Sequence, residues 1–290
     1  HENTLRVLRN RKDIACVLIN PLQAMHPNQA APTDNTMVDG SRRAYYDRAA
    51  YTQWLKTLRD ICTEKGIALI FDEVFMGFRL AKGGAQEYFG VEADVVTYGK
   101  TLAGGLPVGV VCGKNKWMTR FRNDRPGDIC FARGTFNAHP YVMGAMNVFL
   151  HRLDSEEITQ TYRVLEQTWL ARKAKLNERF KQVGLPLRVE GVSTVWTVLF
   201  DVPSRYNWML QFYMRREGIA LSWVGTGRMI FSLNFSEADF DMLVERFVLA
   251  AQRMNADGWW WTPVGQTNKH IKRQILKEMI QTVPALEKLV

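Results

Sequence analysis

The sequence predicts an α/β fold in which an open, largely parallel sheet is followed by a smaller α+β domain. Apolar runs typical of buried strands, at residues 14–19 and 67–71, alternate with a helical pattern at residues 49–65. After Pro140, long helices and separate short strands replace this alternation. With 290 residues, of which 47% are hydrophobic, the chain is large enough to bury a core in both domains.

The first half of the chain begins with a buried strand at residues 14–19, followed by a long loop at residues 20–48 that contains Pro, Asn and Asp. A helix is expected at residues 49–65, because apolar residues recur there at helical spacing, and Gly66 is expected to end it. Residues 67–71, IALIF, are apolar throughout, as is typical of a central parallel strand covered on both faces.

Two further strands are expected in the same sheet, at residues 93–97 and 107–112. In open α/β sheets, ligands bind at the carboxyl ends of the strands. Polar side chains that directly follow these strands are therefore the first candidates for a functional site.

The second half of the chain predicts a smaller domain of mixed helices and strands. Helices are expected at residues 140–150 and 155–183, and Gly184 ends the second one. Ser236 and Asp239 have the spacing of a capping box at the start of another helix. Between these helices we expect a strand at residues 195–202, a helix at 208–216 and a strand at 228–234.

We expect three segments: residues 1–150 as part of a large domain, residues 151–256 as a small domain, and residues 257–290 as a basic helical tail or linker. Position 1 is His, and the first strand begins soon after it, so the chain is expected to be a fragment of a longer polypeptide. No apolar run approaches the ~20 residues that span a bilayer, and no signal peptide is recognisable. These features favour a cytoplasmic protein with no membrane partner.

Composition and residue spacing argue against several other classes of protein. The four cysteines are widely scattered and are expected to be reduced, and the five histidines have no ligand spacing, so we expect no metal. The net charge of +9 comes from Lys and Arg interspersed with acids, so we expect no nucleic-acid partner. One alternative of this kind is a non-catalytic basic binding module that uses the tryptophans at residues 259–261.

Asp72 and Lys100 are the residues that most suggest chemistry. Asp72 follows the apolar run of a buried strand, where an unpaired carboxylate is costly, so we expect a cationic partner. A cap on the following turn, or an ion pair with an arginine such as Arg79, would satisfy it without any catalytic role. Lys100 follows the next strand among small residues such as Gly99 and Gly104, where a flat ring can approach closely. An ordinary solvated lysine is the alternative.

Two runs carry a family resemblance: IFDEVFMGFR at residues 70–79 and GGAQEYFGVEADVVTYGKTLAGGLPVG at residues 83–109. The sequence resembles class III aminotransferases, most closely the glutamate-1-semialdehyde aminomutase branch, from about residue 14 to about residue 254. The resemblance implies fold type I of the pyridoxal 5'-phosphate (PLP) enzymes. It also implies that the C-terminal part of the large parallel-sheet domain and the small α+β domain are present, and that the N-terminal part is missing.

The same resemblance implies PLP as the cofactor and assigns residues to its site. Asp72 would pair with the protonated pyridine nitrogen, Lys100 would hold the cofactor as a Schiff base, and Val74 would pack on a ring face. Gly134 and Thr135 would bind the cofactor phosphate from across an interface, which implies a homodimer with shared active sites. These roles agree with the chemistry, because a protonated ring accepts electrons and a lysine can move a proton.

The substrates are less well defined than the cofactor. Arg228 matches a position that binds a substrate carboxylate in several class III enzymes, although not in the aminomutase branch. Asn20 and Phe75 differ from the residues that many relatives have at these positions, which leaves the amino donor and the keto acceptor open.

Two activities remain in competition. The loop at residues 21–48 and the tail at residues 259–290 resemble those of aminotransferase domains in mixed polyketide and nonribosomal peptide synthases. That resemblance implies transfer of an amino group from an amino acid to a carrier-bound β-keto intermediate, with an acyl carrier domain as partner. The alternative is a glutamate-1-semialdehyde 2,1-aminomutase that acts on a free small molecule.

Overall fold

A computed structural model describes residues 2–21, 47–130, 134–220 and 228–281. These residues form two compact units, and the boundary between the units lies at Val164 and Leu165. Most of the loop predicted at residues 20–48 lies outside the described residues, except that Arg48 begins a helix.

The first unit contains a four-stranded sheet whose strand order is β1-β2-β3-β4. The strands are β1 (Cys16–Ile19), β2 (Ala68–Asp72), β3 (Val95–Gly99) and β4 (Gly109–Gly113). The first three strands are parallel, as predicted, whereas β4 runs antiparallel to β3. Residues 100–108 alone connect β3 to β4, which is shorter than the dozen or so residues that a parallel crossover needs.

The prediction that the first strand is buried is wrong for the described residues. Cys16 and Leu18, which share one face of β1 at the edge of the described sheet, are exposed because no described residues cover that face. By contrast, β2 lies between β1 and β3, and its side chains are buried or half-buried along its whole length. The continuous apolar run therefore identified a central strand correctly at β2 but not at β1.

Among the residues that the structure describes, five α-helices of the first unit precede the long helix at the unit boundary. They are α1 (Glu2–Asn10), α2 (Arg48–Lys65), α3 (Gly84–Phe89), α4 (Asn115–Met118) and α5 (Pro140–Leu153). Asp47 caps α2 by accepting a hydrogen bond from the Ala50 N–H, and Gly66 ends the helix with φ 69°, as predicted. Helix α2 contacts β2, and the core here contains the fully buried side chains of Leu55, Leu58, Leu69 and Phe71.

The second unit begins within a long helix, α6 (Glu156–Gln182), and contains a three-stranded antiparallel sheet. The strands are β5 (Leu187–Val192), β6 (Val195–Phe200) and β7 (Arg228–Ile230), and the remaining helices are α7 (Leu210–Arg216), α8 (Glu237–Ala256) and α9 (Asn268–Gln281). Strand β5 was not predicted, and β7 is shorter than predicted. The capping box of Ser236 and Asp239 at the start of α8 is confirmed.

The tail after α8 packs on the second unit. The Trp260 ring is buried, and its centroid lies 6.4 Å from that of Phe200. Arg205 donates two hydrogen bonds to the Glu278 carboxylate, at 3.0 and 2.6 Å, and so attaches α9. Across the described ranges, no helix is both long and apolar enough to cross a membrane.

Candidate functional site

Two adjacent parallel strands bring Asp72 and Lys100 to the same edge of the sheet. Asp72 is the last residue of β2, and its Cα is paired with that of Thr97 in β3. Lys100 comes three residues after Thr97, directly after the end of β3. The carboxyl ends of parallel strands are the usual ligand-binding edge of an open sheet.

The Asp72 carboxylate is half-buried and is held in place by neutral donors. Its Oδ1 accepts hydrogen bonds from the Val74 N–H at 3.1 Å and from the Thr97 hydroxyl at 3.2 Å. Within the described residues no cation pairs with Asp72, so the expected cationic partner is not found, whereas the bond from the Val74 N–H caps the turn that follows β2, which was the alternative to an ion pair. Arg79 instead donates its Nε–H to the Phe75 carbonyl at 3.0 Å. The Asp72 carboxylate is stable without a paired cation because it is partly exposed and water still solvates it.

The Oδ2 atom of Asp72 accepts no hydrogen bond from any residue that the structure describes. A carboxylate oxygen at a strand end with open acceptor capacity suits a ligand that carries an N–H donor. Asp72 is thus oriented by the protein through one oxygen and open to a ligand through the other.

Lys100 has an unusual backbone conformation. Its φ is 44°, in the left-handed region, and it starts a short 3₁₀ turn (Lys100–Ala103) against which α5 packs. A non-glycine residue in this region is strained by ~1–3 kcal/mol, and such strain clusters at functional sites. The side chain is exposed rather than partly desolvated as expected, and its Nζ lies 5.9 Å from the centroid of the Phe75 ring.

Val74 lies beside the end of β3 because the neighbouring residue there is glycine. A Cβ atom on Gly99 would lie 3.2 Å from Cγ1 of Val74 and 3.1 Å from the Val108 carbonyl oxygen. Both distances are tighter than ordinary van der Waals contact. Gly99 therefore allows the Asp72–Val74 segment and the start of the Lys100 turn to approach each other.

Glu73 is a functional candidate that the sequence analysis missed. Its side chain is 1% exposed, and Oε2 accepts a hydrogen bond from the Ala85 N–H at the start of α3, at 2.7 Å. Burial raises the pKa of the Glu73 carboxyl to about 7, although the backbone N–H groups of Ala85 and Gln86 act in the opposite direction. No sequence signal separates Glu73 from Asp72, because the chain turns directly after Glu73 and the burial of its side chain against the start of α3 is set by tertiary structure.

The two predicted phosphate-binding residues lie on an exposed turn before α5. Gly134 and Thr135 are both exposed, and the Gly134 carbonyl accepts a hydrogen bond from the Asn137 N–H at 3.0 Å. In the described part of the chain, no hydrogen bond joins this turn to Asp72 or Lys100. Their role therefore stays a prediction.

Arg228 belongs to the second unit, where it is the first residue of β7 and its Cα is paired with that of Thr197. The proposed carboxylate-binding role also stays a prediction.

The residues at the strand ends fit the chemistry of PLP. Asp72 offers an open carboxylate oxygen for a ring nitrogen, and Lys100 offers an exposed primary amine for a carbonyl carbon. Val74 lies between them in the chain and adjoins the end of β3. These three residues would hold the ring and the reactive carbon of the cofactor.

The fold and the site together define an α/β transferase of fold type I. A solved structure titled "Transaminase with PLP bound" matches 89% of this chain and 56% of its own length, with a TM-score of 0.68 and 25% identity. An ω-transaminase from Sphaerobacter thermophilus matches 87% of this chain and 55% of its own, with a TM-score of 0.66 and 24% identity.

The sequence comparison identifies the family. The profile described as "Aminotransferase class-III" matches residues 40–251, and this chain belongs to the class III aminotransferase family, whose cofactor is PLP. A glutamate-1-semialdehyde 2,1-aminomutase of Methanococcus maripaludis is 33% identical over 198 residues, which cover 67% of this chain. The enzyme of the same name from Flavobacterium johnsoniae is 36% identical over 148 residues, or 51% of this chain. The match covers 40% of the length of the first relative and 33% of the second.

Proposed function

We propose that the natural polypeptide that carries this sequence moves an amino group from an amino-acid donor to a carbonyl, with PLP as cofactor. One observation carries the proposal: Asp72 and Lys100 lie at the ends of neighbouring parallel strands, and Oδ2 of Asp72 is open to a donor. A carboxylate suits a protonated ring nitrogen, and an amine suits a carbonyl carbon.

PLP, when bound, supplies an electron-accepting ring that eases removal of a proton from the α-carbon of the donor. Lys100 holds the cofactor through Nζ in the resting protein. When it is not bonded to the cofactor, the same Nζ would accept the α-proton of the donor and donate it again, so that the proton stays within the site. Asp72, which is oriented by the Val74 N–H and the Thr97 hydroxyl, keeps a proton on the ring nitrogen.

Other residues have supporting roles in this proposal. Val74 packs on the ring, and Arg228 binds a carboxylate of a substrate through its guanidinium group. Gly134 and Thr135 bind the phosphate of a cofactor held by a second copy of the chain, so that the active form is a cytoplasmic homodimer. The exposure of the turn that carries these two residues supports this role.

Two acceptors of the amino group are candidates. A carrier-bound β-keto thioester is supported by the resemblance to aminotransferase domains of mixed polyketide and nonribosomal peptide synthases, and it needs an acyl carrier domain as partner. Glutamate 1-semialdehyde, converted within one molecule, is supported by relatives that are 32–34% identical and carry the aminomutase name.

The test of PLP chemistry compares the natural polypeptide with its Lys100→Ala variant. We expect the parent to show the visible absorption band of lysine-bound PLP and borohydride to fix the cofactor to Lys100. The variant should lack both the band and the covalent product. A parent polypeptide that binds PLP through another lysine, or does not bind it, contradicts the proposal.

The two acceptors differ in stoichiometry, and this difference can be measured. Transfer to a β-keto thioester releases one keto acid from the amino donor for each amine formed, whereas a 2,1-aminomutase releases none. The parent is therefore incubated with glutamate and a β-keto acyl-carrier substrate, and separately with glutamate 1-semialdehyde. Release of keto acid only in the first incubation supports the transaminase, and isomerisation in the second supports the aminomutase.

A further inference from the structure

The side chain next to Asp72 has no role in the proposed reaction and yet is almost completely enclosed. Glu73 is 1% exposed, whereas an acidic residue at a strand end is usually solvated. Its Oε1 atom has no hydrogen-bond partner among the described residues, and its Oε2 atom accepts the Ala85 N–H at 2.7 Å. A buried acid in this position needs a reason.

The backbone of Glu73 joins the two strand ends that carry the site. Its N–H donates to the Thr97 carbonyl at 3.0 Å, and its carbonyl accepts the Gly77 N–H at 2.7 Å. Thr97 also donates its hydroxyl to Asp72. The backbone of Glu73 is thus fixed to β3 on one side and to the following turn on the other.

The carboxyl of Glu73 adds a third attachment, to the start of α3. Gly84, the first residue of that helix, leaves space for the Glu73 carboxyl, because a Cβ atom on Gly84 would lie 2.2 Å from Oε2. The groups that face the carboxyl are Tyr98 on β3 and Cys112 on β4, together with the backbone N–H groups of Ala85 and Gln86. Burial raises the pKa of both the Tyr98 phenol and the Cys112 thiol, so neither brings a charge near neutral pH.

We propose that Glu73 is a positioning residue for the cofactor site, which fixes the segment from Asp72 to Val74 by tying it to helix α3 and strand β3. The inference rests on the proposed function, because the groups that it positions are Asp72 and Val74. Glu73 is buried against the start of α3, acts only through its neighbours and is not a catalytic residue.

The experiment measures the dissociation constant of PLP, from the lysine-bound absorption band, in the natural polypeptide and two variants of Glu73. Glu73→Ala removes the hydrogen bond to Ala85 and should weaken PLP binding about tenfold or more. Glu73→Gln keeps an acceptor oxygen at the same distance and should bind within about threefold of the parent. The pH dependence of PLP affinity near neutrality should become smaller in Glu73→Gln, a change that a purely structural side chain would not cause.

A second pair of variants tests the same contact if Glu73→Ala does not fold. Gly84→Ala inserts a methyl group 2.2 Å from Oε2 at φ 69°, whereas Gly90→Ala, at the other end of α3, inserts one into open space at φ 61°. Both variants bear similar backbone strain, and Gly84→Ala adds the clash with the Glu73 carboxyl, so its unfolding temperature should fall further than that of Gly90→Ala. We expect PLP affinity to fall markedly only in Gly84→Ala.

The possible outcomes separate this inference from the proposed function. PLP binding that is equal in the parent and Glu73→Ala, or equal in Gly84→Ala and Gly90→Ala, overturns the role of Glu73 and leaves the role of Lys100 intact. A parent that does not bind PLP through Lys100 overturns the proposed function and this inference with it.

Discussion

Replacing Glu73 by Gln should change how the stability of the protein depends on pH. Burial raises the pKa of this carboxyl from 4.5 to about 7 in the folded protein, while the unfolded chain retains the ordinary value. Between these two values the folded protein binds the proton more tightly than the unfolded chain does. The parent is therefore destabilised as pH rises toward 7, and the loss is complete above 7.

The size of this effect follows from the two pKa values. Between about pH 5.5 and about pH 8.5, titration of this one group should lower the free energy of unfolding of the parent by ~2 kcal/mol relative to Glu73→Gln. Glu73→Gln cannot ionise at this position but keeps an acceptor for the Ala85 N–H. All other titrating groups are shared by the two proteins, so they cancel in the difference.

The assay is urea unfolding of the parent and of Glu73→Gln at a series of pH values across this range. We expect the stability of the variant relative to the parent to increase with pH and to level off above neutral pH. A difference that stays constant with pH would show that Glu73 is already ionised in the folded protein. Burial would then not raise the pKa of this carboxyl.

Three further predictions concern other parts of the molecule. Gly99→Ala should weaken PLP binding several-fold by crowding Cγ1 of Val74 and should lower the free energy of unfolding by ~1–3 kcal/mol, as measured by absorption titration and urea unfolding. Ser236→Ala removes one half of a capping box and should lower the free energy of unfolding by ~1 kcal/mol, measured by urea unfolding. Phe136→Glu, in an exposed turn, should reduce both self-association, measured by sedimentation, and PLP affinity. A variant in which self-association falls but PLP affinity does not, or the reverse, would contradict shared active sites.

The elements that the sequence predicted best are those in which local signals agree with one another. Helix α2 combines apolar spacing with Asp47 at its start and Gly66 at its end, and the structure has it at Arg48–Lys65. Strand β2 is central and apolar throughout, so its burial could be read directly from the sequence. Strand β1 has the same composition, but burial depends on neighbouring strands, which local sequence does not report.

Strand β5 was missed for a definable physical reason. The alternation of Leu187 and Val189 with Arg188 and Glu190 is itself a strand signal, but it is short, and the turn to β6 consists of Ser193 and Thr194 rather than a glycine-containing pair, so the sequence does not mark a hairpin. Ser193 adopts φ 49° without the glycine or asparagine that usually marks such a turn. The hairpin is specified instead by packing, because Trp196 on β6 contacts the Trp169 and Phe231 rings.

For the candidate site, the sequence predicted that Asp72 and Lys100 follow neighbouring strands but not what holds them in place. Asp72 and Lys100 could be found because a charged residue after an apolar strand is conspicuous. Glu73 follows Asp72 directly and is just as polar, yet the side chain of Glu73 is buried. Lys100, in contrast, is exposed. Whether a carboxyl faces solvent or the start of α3 depends on the path of the chain after β2, which is a tertiary property.

The exposed surface around the predicted phosphate-binding turn gives that prediction a physical basis beyond resemblance. Phe136 and Tyr141 lie close to Thr135 in the chain, and they are 77% and 78% exposed. Two large aromatic side chains left in water beside a turn that carries a hydroxyl donor are typical of a surface that another protein surface covers. If a second copy covers this turn, the aromatic rings supply apolar contact area, and Thr135 is brought to the cofactor of that copy. Dimer formation and completion of the cofactor site would then be one event, with a common dependence on protein concentration and on PLP.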